Sequence, residues 1–325
     1  MNKEHLLYLS QADVVSVGLT MAQSIELVET AFREKGNNRV EMPPKPGIHP
    51  GGGDNFIHAM PAYIPAMNSA GMKWVSGFPE NDKRGLPYIT GLLVLNDPQT
   101  GLPIAVMDCV WITAVRTAAA TAVAARQLAR PDSSTLGILG CGVQGTANTE
   151  ALSVLFPLAK VMAYDLRPQA VTAFAEDVSN RLHLEVVPVA TPREAVVGCD
   201  MVVTAGRLVK EPHATIQPGW LDAGAFAALL DFDCYWHRDA MKEADKFCTD
   251  DVPQLRHFQE LGYLRNIPPI HADLGELVAG KKPGRETAAE RNMACNLGLA
   301  IDDMAVAISI RKQAIEKEIG TWLPL

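Results

Sequence analysis

The sequence lacks several patterns that would assign it to a protein class directly. None of its cysteines forms a Cys-x-x-Cys pair, and in a chain of 325 residues such scattered thiols predict buried, reduced side chains and a cytoplasmic protein. The six are Cys109, Cys141, Cys199, Cys234, Cys248 and Cys295. The eight histidines form no His-Glu-x-x-His pattern and no other metal-ligand spacing, so we expect no metal site.

Positive charge and long apolar runs are also scarce. The chain has 29 Lys and Arg against 37 Asp and Glu, a net charge of −8, whereas a nucleic-acid-binding protein needs a basic face. No run of about 20 apolar residues could span a bilayer, and residues 1–14 carry no signal-peptide pattern. We therefore expect neither nucleic acid nor a membrane as a partner.

The length predicts two domains, since a domain commonly holds about 100–200 residues. In the first part, GMKWVSGF (71–78) has the pattern of a strand, and residues 88–109 that of a hairpin around an Asp-Pro-x-x-Gly turn. An alanine-rich helix follows, for which we predict Thr113 as the N-cap and Pro131 as the end.

From residue 135 onward, strand and helix patterns alternate. We predict helices over 144–156 and 168–181. The predicted strands are TLGIL (135–139), KVMAYDL (160–166), LEVVPV (184–189), DMVVTAG (200–206) and GWLDAGAF (219–226). This alternation predicts an α/β domain over residues 117–294, with a parallel sheet covered by helices on both faces. Residues 1–116 and 295–325 then form the second domain, which the last helix rejoins.

Three glycines, Gly140, Gly142 and Gly145, follow the strand TLGIL and open a helix. Asp165 ends the next strand. In a dinucleotide-binding βαβ unit, the first glycine permits the tight turn, the second lets the backbone approach the pyrophosphate, and the third lets helix and strand pack closely. The free N–H groups of the helix N-terminus attract phosphate. The pattern therefore predicts a dinucleotide site.

Asp165 is placed to accept hydrogen bonds from the ribose hydroxyls. A carboxylate there favours NAD over NADP, because a 2′-phosphate would meet a like charge. Arg167, two residues further on, would weaken that exclusion.

Two cations stand in unusual places. Arg116 falls in the predicted first turn of the alanine-rich helix, where the helix dipole disfavours a positive charge, so an anion near it is one interpretation and a surface arginine the other. Thr117 beside it could offer its hydroxyl to a phosphate. Lys73 lies in an apolar strand, and alternation equally allows it to point outward. If it points inward, it needs a carboxylate partner, and burial would lower its pKa toward that of a useful base.

Four segments together resemble the ornithine cyclodeaminase/μ-crystallin family, in order, from about residue 40 to 312. They are GMKWVSGFPEN, GLLVLNDPQTGLPIAVMD, TAVRTAAATAVAARQLARPDSSTLGILGCGVQGTANTEAL and LGELVAGKKPGRE…LGLAIDDMAVA. The resemblance implies a Rossmann-type, doubly wound parallel-sheet domain joined to an α+β domain for substrate binding and dimerisation. It also implies NAD(P)(H)-linked chemistry at the amine-bearing carbon of a small amino or imino acid.

By position, the resemblance makes Lys73 and Arg116 ligands of the substrate carboxylate. Lys45 stands where the family usually has an arginine. The predicted cofactor-binding residues are Thr117, Gly140, Gly142, Val143, Gln144, Gly145, Asp165, Arg167 and Thr204, with NAD as the cofactor. The family's catalytic aspartate, usually followed by Pro-Gly-Lys, falls in LLDFDCYWH, where Asp231 and Asp233 are both candidates. Lys73 is a third candidate for the catalytic base.

A cyclodeaminase of the ornithine type is the first function that these residues predict. An amino-acid dehydrogenase or a ketimine or imino-acid reductase comes next, since the outcomes differ only in what attacks one carbon. A μ-crystallin-like binding protein is a third possible function. The presence of Lys73 and Arg116, the ligands that the resemblance assigns to a substrate carboxylate, argues against it. We also expect a homodimer formed through the N-terminal domain, because the hairpin at 88–109 offers apolar strands that this segment hardly covers.

Overall fold

The computed structural model describes residues 5–325, apart from the side chain of residue 82. Residues 1–4, part of the segment compared with a signal peptide, lie outside the described residues. The α-helices are α1 (Gln11–Ser16), α2 (Met21–Gly36), α3 (Val110–Leu128), α4 (Val143–Leu155), α5 (Pro168–Leu182), α6 (Arg238–Met241), α7 (Val252–Glu260), α8 (Leu274–Val278) and α9 (Ala300–Glu316). Short 3₁₀ helices cover Pro65–Met67 and Pro79–Arg84.

The strands fall into two sheets. Those of the first are β1 (His5–Leu9), β2 (Gly47–Ile48), β3 (Phe56–Ile64), β4 (Ser69–Gly77), β5 (Ile89–Asn96), β6 (Pro103–Asp108) and β15 (Thr321–Pro324). Those of the second are β7 (Thr135–Leu139), β8 (Lys160–Tyr164), β9 (Glu185–Pro188), β10 (Met201–Thr204), β11 (Phe226–Leu229), β12 (Lys246–Thr249), β13 (Ala272–Asp273) and β14 (Asn292–Cys295).

The chain divides into two compact units. Unit 1 comprises residues 1–116 and 299–325, and unit 2 comprises residues 117–298. The sequence placed the second boundary at 294–295, before the end of unit 2. The residues after β14 stay with unit 2 because the Asn296 N–H donates to the Leu229 carbonyl at 3.1 Å and the Gly298 N–H to Asp250 Oδ2 at 2.7 Å.

Unit 1 is built on a mixed sheet in the order β15-β1-β6-β5-β4-β3-β2. The predicted hairpin is present as β5 and β6, which pair antiparallel. Helix α9, which is buried along most of its length, packs against β3, β4 and β5 and against α2. The segment around residues 300–310 therefore lies in the core of this unit.

Unit 2 holds a sheet in the order β13-β12-β14-β11-β10-β7-β8-β9, in which every pairing is parallel. From β7 the chain runs outward through β8 to β9 and then returns to β10 on the other side of β7. The order thus reverses between β7 and β10, and doubly wound sheets bind ligands beyond the strand ends at such a point. The predicted Rossmann-type α/β fold class is confirmed.

Two local predictions were wrong. Thr113 does not cap α3: the helix begins at Val110, whose N–H donates to Asp108 Oδ1 at 2.9 Å, and the Thr113 N–H already makes a helical bond to Cys109. The sequence misled because Val-Trp-Ile looks like a continuation of the strand before it. Most of GWLDAGAF is a turn, since Gly219 and Gly224 adopt positive φ angles of 78° and 83°. Strand β11 begins only at its last residue.

Within the described residues, no helix is both long enough and apolar enough to cross a membrane.

Candidate active site

Lys73 points into unit 1. It lies on β4 between Met60 of β3 and Leu93 of β5, and its exposure is 0%. Its Nζ donates to Asp303 Oδ1 at 2.7 Å and to Thr113 Oγ1 at 3.3 Å. Of the two orientations that strand alternation allowed, the structure therefore has the inward one, with the carboxylate partner that burial requires.

Arg116 is also buried, with 5% exposure, and lies in the second turn of α3. The predicted position of Arg116 in the first turn was therefore wrong, because the helix begins at Val110 and Thr113 is not its N-cap. An anion is nevertheless present: Nε donates to Asp303 Oδ1 at 3.0 Å. Nη1 lies 3.9 Å from Asp302 Oδ2 and has no hydrogen-bond partner among the described residues.

Asp303 brings Lys73 and Arg116 together, and the sequence reasoning did not single it out. The sequence did contain a sign of it, because two adjacent carboxylates, Asp302 and Asp303, interrupt the apolar helix α9. Buried charges of this kind are nearly always paired. The pKa of Lys73 is lowered, first by burial and then by the charge of Arg116, while Asp303 opposes the shift.

This cluster has the chemistry of an anion site. Two buried cations share one oxygen of Asp303, and Arg116 keeps an unpaired Nη1 donor. Guanidinium and ammonium groups bind carboxylates through charge-assisted hydrogen bonds. Lys45, the third predicted ligand, is half-buried in the segment before β2, and its role remains a prediction.

The predicted dinucleotide turn lies at the carboxyl end of β7 in unit 2. Gly140 has a φ of 108°, which favours glycine, and a Cβ there would collide with the Ala205 carbonyl group that follows β10. A Cβ on Gly145 would collide with the carbonyl oxygen of Gly140, so helix and turn meet closely. At Gly142 the space in front of the backbone is open. These three environments fit a dinucleotide-binding turn, and the assignment of the glycines to a cofactor stays a prediction.

The start of α4 suits a phosphate. Its N-cap is Gly142, so no side chain caps the first N–H groups of the helix. Val143 is exposed and Gln144 is half-buried at this end. Asp165 fixes the turn, because its Oδ2 accepts the Cys141 N–H at 2.9 Å. Its Oδ1 accepts the backbone N–H of Arg167 at 2.9 Å, and the Arg167 side chain lies beside it at 3.4 Å. The residues present therefore fit a dinucleotide.

Thr204 and Asp231 form one buried network at the ends of β10 and β11. The Thr204 hydroxyl donates to Asp231 Oδ1 at 2.7 Å and accepts the indole N–H of Trp236 at 3.3 Å. Asp231 Oδ2 accepts the Gly206 N–H at 2.9 Å. Burial raises the pKa of Asp231 to about 6, against these two hydrogen bonds, which favour the ionised form. A carboxylate poised near neutral pH can accept and return a proton.

Two predicted residues stand apart from these networks. Asp233 is buried two residues after Asp231, and burial raises its pKa as well. Thr117, the first residue of unit 2, is half-buried on α3 and its carbonyl accepts the Thr121 hydroxyl at 3.3 Å. Their catalytic and phosphate-binding roles remain predictions.

The model of the ornithine cyclodeaminase/mu-crystallin family matches residues 6–318. The chain belongs to this family. It is 35% identical over 324 residues to alanine dehydrogenase of Archaeoglobus fulgidus, an alignment that covers 97% of each chain.

Two solved structures are similar over nearly the whole chain. The Δ1-pyrroline-2-carboxylate reductase of Thermococcus litoralis, in complex with NADH and L-proline, is 32% identical, with a TM-score of 0.88 and coverage of 97% of this chain and 99% of that one. An archaeal alanine dehydrogenase dimer with bound NAD is also 32% identical, with a TM-score of 0.88 and 99% coverage of both. The prediction of an enzyme is confirmed at the level of an oxidoreductase or a cyclodeaminase.

The Thr204–Asp231 hydrogen bond predicts the result of a substitution. Thr204→Val removes a hydrogen bond that favours the ionised carboxylate, so the pKa of Asp231 should rise above about 6. Infrared titration of the carboxyl band measures this, with Asp231→Asn identifying the band as the one that disappears. An unchanged titration midpoint in Thr204→Val would show that the hydroxyl does not stabilise the carboxylate.

Proposed function

We propose that the chain is an NAD(H)-dependent oxidoreductase acting at the amine-bearing carbon of a small L-amino acid or the corresponding imino acid. The observation that carries the proposal is the buried pair of cations in unit 1, Lys73 and Arg116, joined by Asp303. A binding protein for an uncharged ligand has no use for two desolvated cations. The family relatives whose activities are dehydrogenation of alanine and reduction of an imino acid support the same class.

In this proposal the substrate carboxylate binds Arg116 and Lys73. The unpaired Nη1 of Arg116 donates one hydrogen bond, and the Lys73 ammonium supplies a second charge. An arginine fork fixes the direction of a carboxylate, so binding also orients the neighbouring Cα. Lys45 is proposed as a further cation for the same group, in place of the arginine usual in the family.

The dinucleotide-binding residues are proposed to be Gly140, Gly142, Val143, Gln144 and Gly145 in the turn, with Thr117 and Thr204 as further contacts. Asp165 and Arg167 are assigned to the adenosine ribose. NAD(H), when bound, supplies the hydride acceptor or donor for the substrate Cα. Asp165 supports NAD as the preferred form, because its two oxygens accept the backbone N–H groups of Cys141 and Arg167, which fix the position of the carboxylate.

Oxidation of an amino acid requires that its α-ammonium first lose a proton, because the nitrogen lone pair drives hydride departure. Asp231 is proposed as the acceptor, since its pKa of about 6 leaves it ionised at neutral pH and able to return the proton. Lys73, with its lowered pKa, and Asp233 are the alternatives.

Cyclodeamination, which the sequence resemblance placed first, becomes the second candidate. It needs a carboxylate for the side-chain amine that attacks the iminium carbon. In the family that carboxylate is usually followed by Pro-Gly-Lys, and this sequence is absent after Asp231. Cyclodeamination stays a candidate because a second buried carboxylate, Asp233, could serve the side-chain amine. Ammonia release from L-ornithine without net NADH formation would identify it.

Substitution of Arg116 tests the proposed carboxylate site. Arg116→Ala removes a charge-assisted contact commonly worth about 1.5–3 kcal/mol, so kcat/KM for the best amino or imino acid should fall roughly tenfold to a few hundredfold. NADH affinity, measured by fluorescence titration, should not change. Arg126→Ala, on the exposed side of the same helix, is the matched control. Activity within about twofold of wild type in Arg116→Ala would remove this residue from the site.

Substitution of Asp165 tests the proposed cofactor. Asp165→Ser removes the negative charge that opposes a 2′-phosphate, so the preference for NADH over NADPH should narrow or reverse. Dissociation constants for both nucleotides measure it, and Glu185→Ser, an exposed carboxylate on β9, serves as the control. The assignment of Asp165 fails if the wild-type enzyme already binds NADPH more tightly than NADH.

We also propose a homodimer formed through the sheet of unit 1. Trp74 of β4 and Leu92 of β5 pair across the sheet, and both are nearly half exposed, at 45% and 47%. Tyr8 of β1 adds to this apolar surface with 38% exposure. The archaeal alanine dehydrogenase of the same fold is a dimer.

Light scattering should therefore give the mass of two chains for the active wild-type protein. Trp74→Glu should shift the mass toward that of one chain, because a buried charge in a dimer interface is costly. Leu166→Glu, at an even more exposed apolar residue of unit 2, should leave the mass unchanged. A monomeric mass for fully active wild-type protein would exclude the dimer.

A further inference from the structure

The interaction between Asp303 and the two cations has a consequence beyond neutralising charge. Lys73, Arg116 and Asp303 come from β4, α3 and α9, and all three are buried. Both contacts, from Lys73 Nζ at 2.7 Å and from Arg116 Nε at 3.0 Å, go to the same oxygen, Oδ1. The other oxygen, Oδ2, has no hydrogen-bond partner among the described residues.

The contact at Nε determines the direction of the whole guanidinium group. A guanidinium is planar and rigid, so fixing Nε also fixes where the two Nη groups point. Nη1 is left without a hydrogen-bond partner in the described part of the chain. On the lysine side, Nζ donates to Asp303 and more weakly to Thr113, at 3.3 Å, which leaves one of its three N–H groups for a ligand.

Charge makes the same point. Lys73 and Arg116 repel each other in a buried environment, and their common carboxylate offsets that repulsion. Removing one member of a buried ionic group leaves an uncompensated charge that drives the remaining partners to rearrange. Without Asp303, the Arg116 guanidinium and the Lys73 ammonium group would therefore move apart, or the Lys73 ammonium group would lose a proton.

We infer that Asp303 is a positioning residue, which orients Arg116 and Lys73 so that their remaining donors receive the carboxylate of the amino or imino acid. This inference rests on the proposed function for the identity of that ligand. It goes beyond it by assigning the precision of carboxylate binding to a residue that does not itself bind substrate.

The inference predicts a change in pH dependence. The groups that face Lys73 are Arg116 and Thr113 of α3, Asp303 of α9 and the thiol of Cys109 before α3, whose own pKa burial raises to about 11. Asp303 favours the charged lysine and Arg116 disfavours it. Loss of the Asp303 charge should therefore lower the pKa of Lys73 further. As the pH rises, binding of the substrate carboxylate should then begin to weaken at a lower pH than in the wild-type protein.

Asp303→Asn tests this, since it keeps the shape of the side chain and removes its charge. The probes are L-alanine and L-proline with NAD. For whichever of them the wild-type enzyme oxidises, KM of the variant should be at least about tenfold higher than that of the wild type, and this factor should exceed the factor by which kcat falls. The basic limb of the pH profile of kcat/KM should move to lower pH. NADH affinity should stay unchanged. In an Arg116→Ala background the same substitution should have a smaller effect, because the two residues act through one interaction.

Asp302→Asn is the matched control. Asp302 neighbours Asp303, but its contact with Arg116 is longer, at 3.9 Å from Oδ2 to Nη1, and the same oxygen accepts the Leu299 N–H at 3.2 Å at the start of α9. It should lower the Tm and leave the pH profile in place. Wild-type KM and pH profile in Asp303→Asn would overturn the inference, and so would equal effects in the two variants.

A readout in the free protein separates the inference from the proposed function. The Nε–Hε NMR signal of Arg116, identified by its loss in Arg116→Ala, should be protected from solvent exchange in wild type and lose that protection in Asp303→Asn. If this occurs while the wild-type enzyme oxidises or reduces no amino or imino acid, the proposed function fails and the positioning by Asp303 stands. An equally protected signal in both proteins would contradict the positioning itself.

Discussion

One carboxylate oxygen, Oδ1 of Asp303, makes the buried cations of unit 1 possible. Burial and the charge of Arg116 both lower the pKa of Lys73, and Asp303, which binds both cations through this oxygen, opposes that shift. Three elements of unit 1 position these side chains. Strand β4 holds Lys73 with its side chain inward, α3 holds Arg116, and the buried helix α9 holds Asp303. The result is a buried cluster of two cations and one carboxylate in which Arg116 Nη1 has no hydrogen-bond partner among the described residues.

Much of the structure of unit 2 was predictable, because short-range sequence patterns determine it. Gly140, Gly142 and Gly145 follow a strand and open a helix, and the roles of all three are set by backbone geometry within a few residues. Asp165 is fixed by the same turn, through the Cys141 N–H. The alternation of strands and helices indicated a parallel doubly wound sheet, and the order of its strands agrees with that class.

Unit 1 was less predictable because its decisive contacts join distant parts of the chain. Lys73 and Asp303 are 230 residues apart, and no local pattern shows that they meet. From the sequence we predicted that Lys73 needs a carboxylate partner if it points inward, but the sequence did not identify which carboxylate this is. The Thr113 cap failed for a related reason: the side chain of Asp108 starts α3 within a segment that has the composition of a strand. Adjacent aspartates in an apolar helix are the feature that would have led to Asp303.

In the proposed function, the enzyme recognises its substrate through the carboxylate. The most direct measurement compares the initial rate of NAD reduction with an L-amino acid and with its primary amide, using L-alanine and L-proline and the corresponding amides. We expect activity with at least one of the acids and a rate lower by roughly tenfold to a few hundredfold with its amide, because the amide lacks the charge that Arg116 and Lys73 are proposed to bind. Equal rates on an acid and its amide would contradict it.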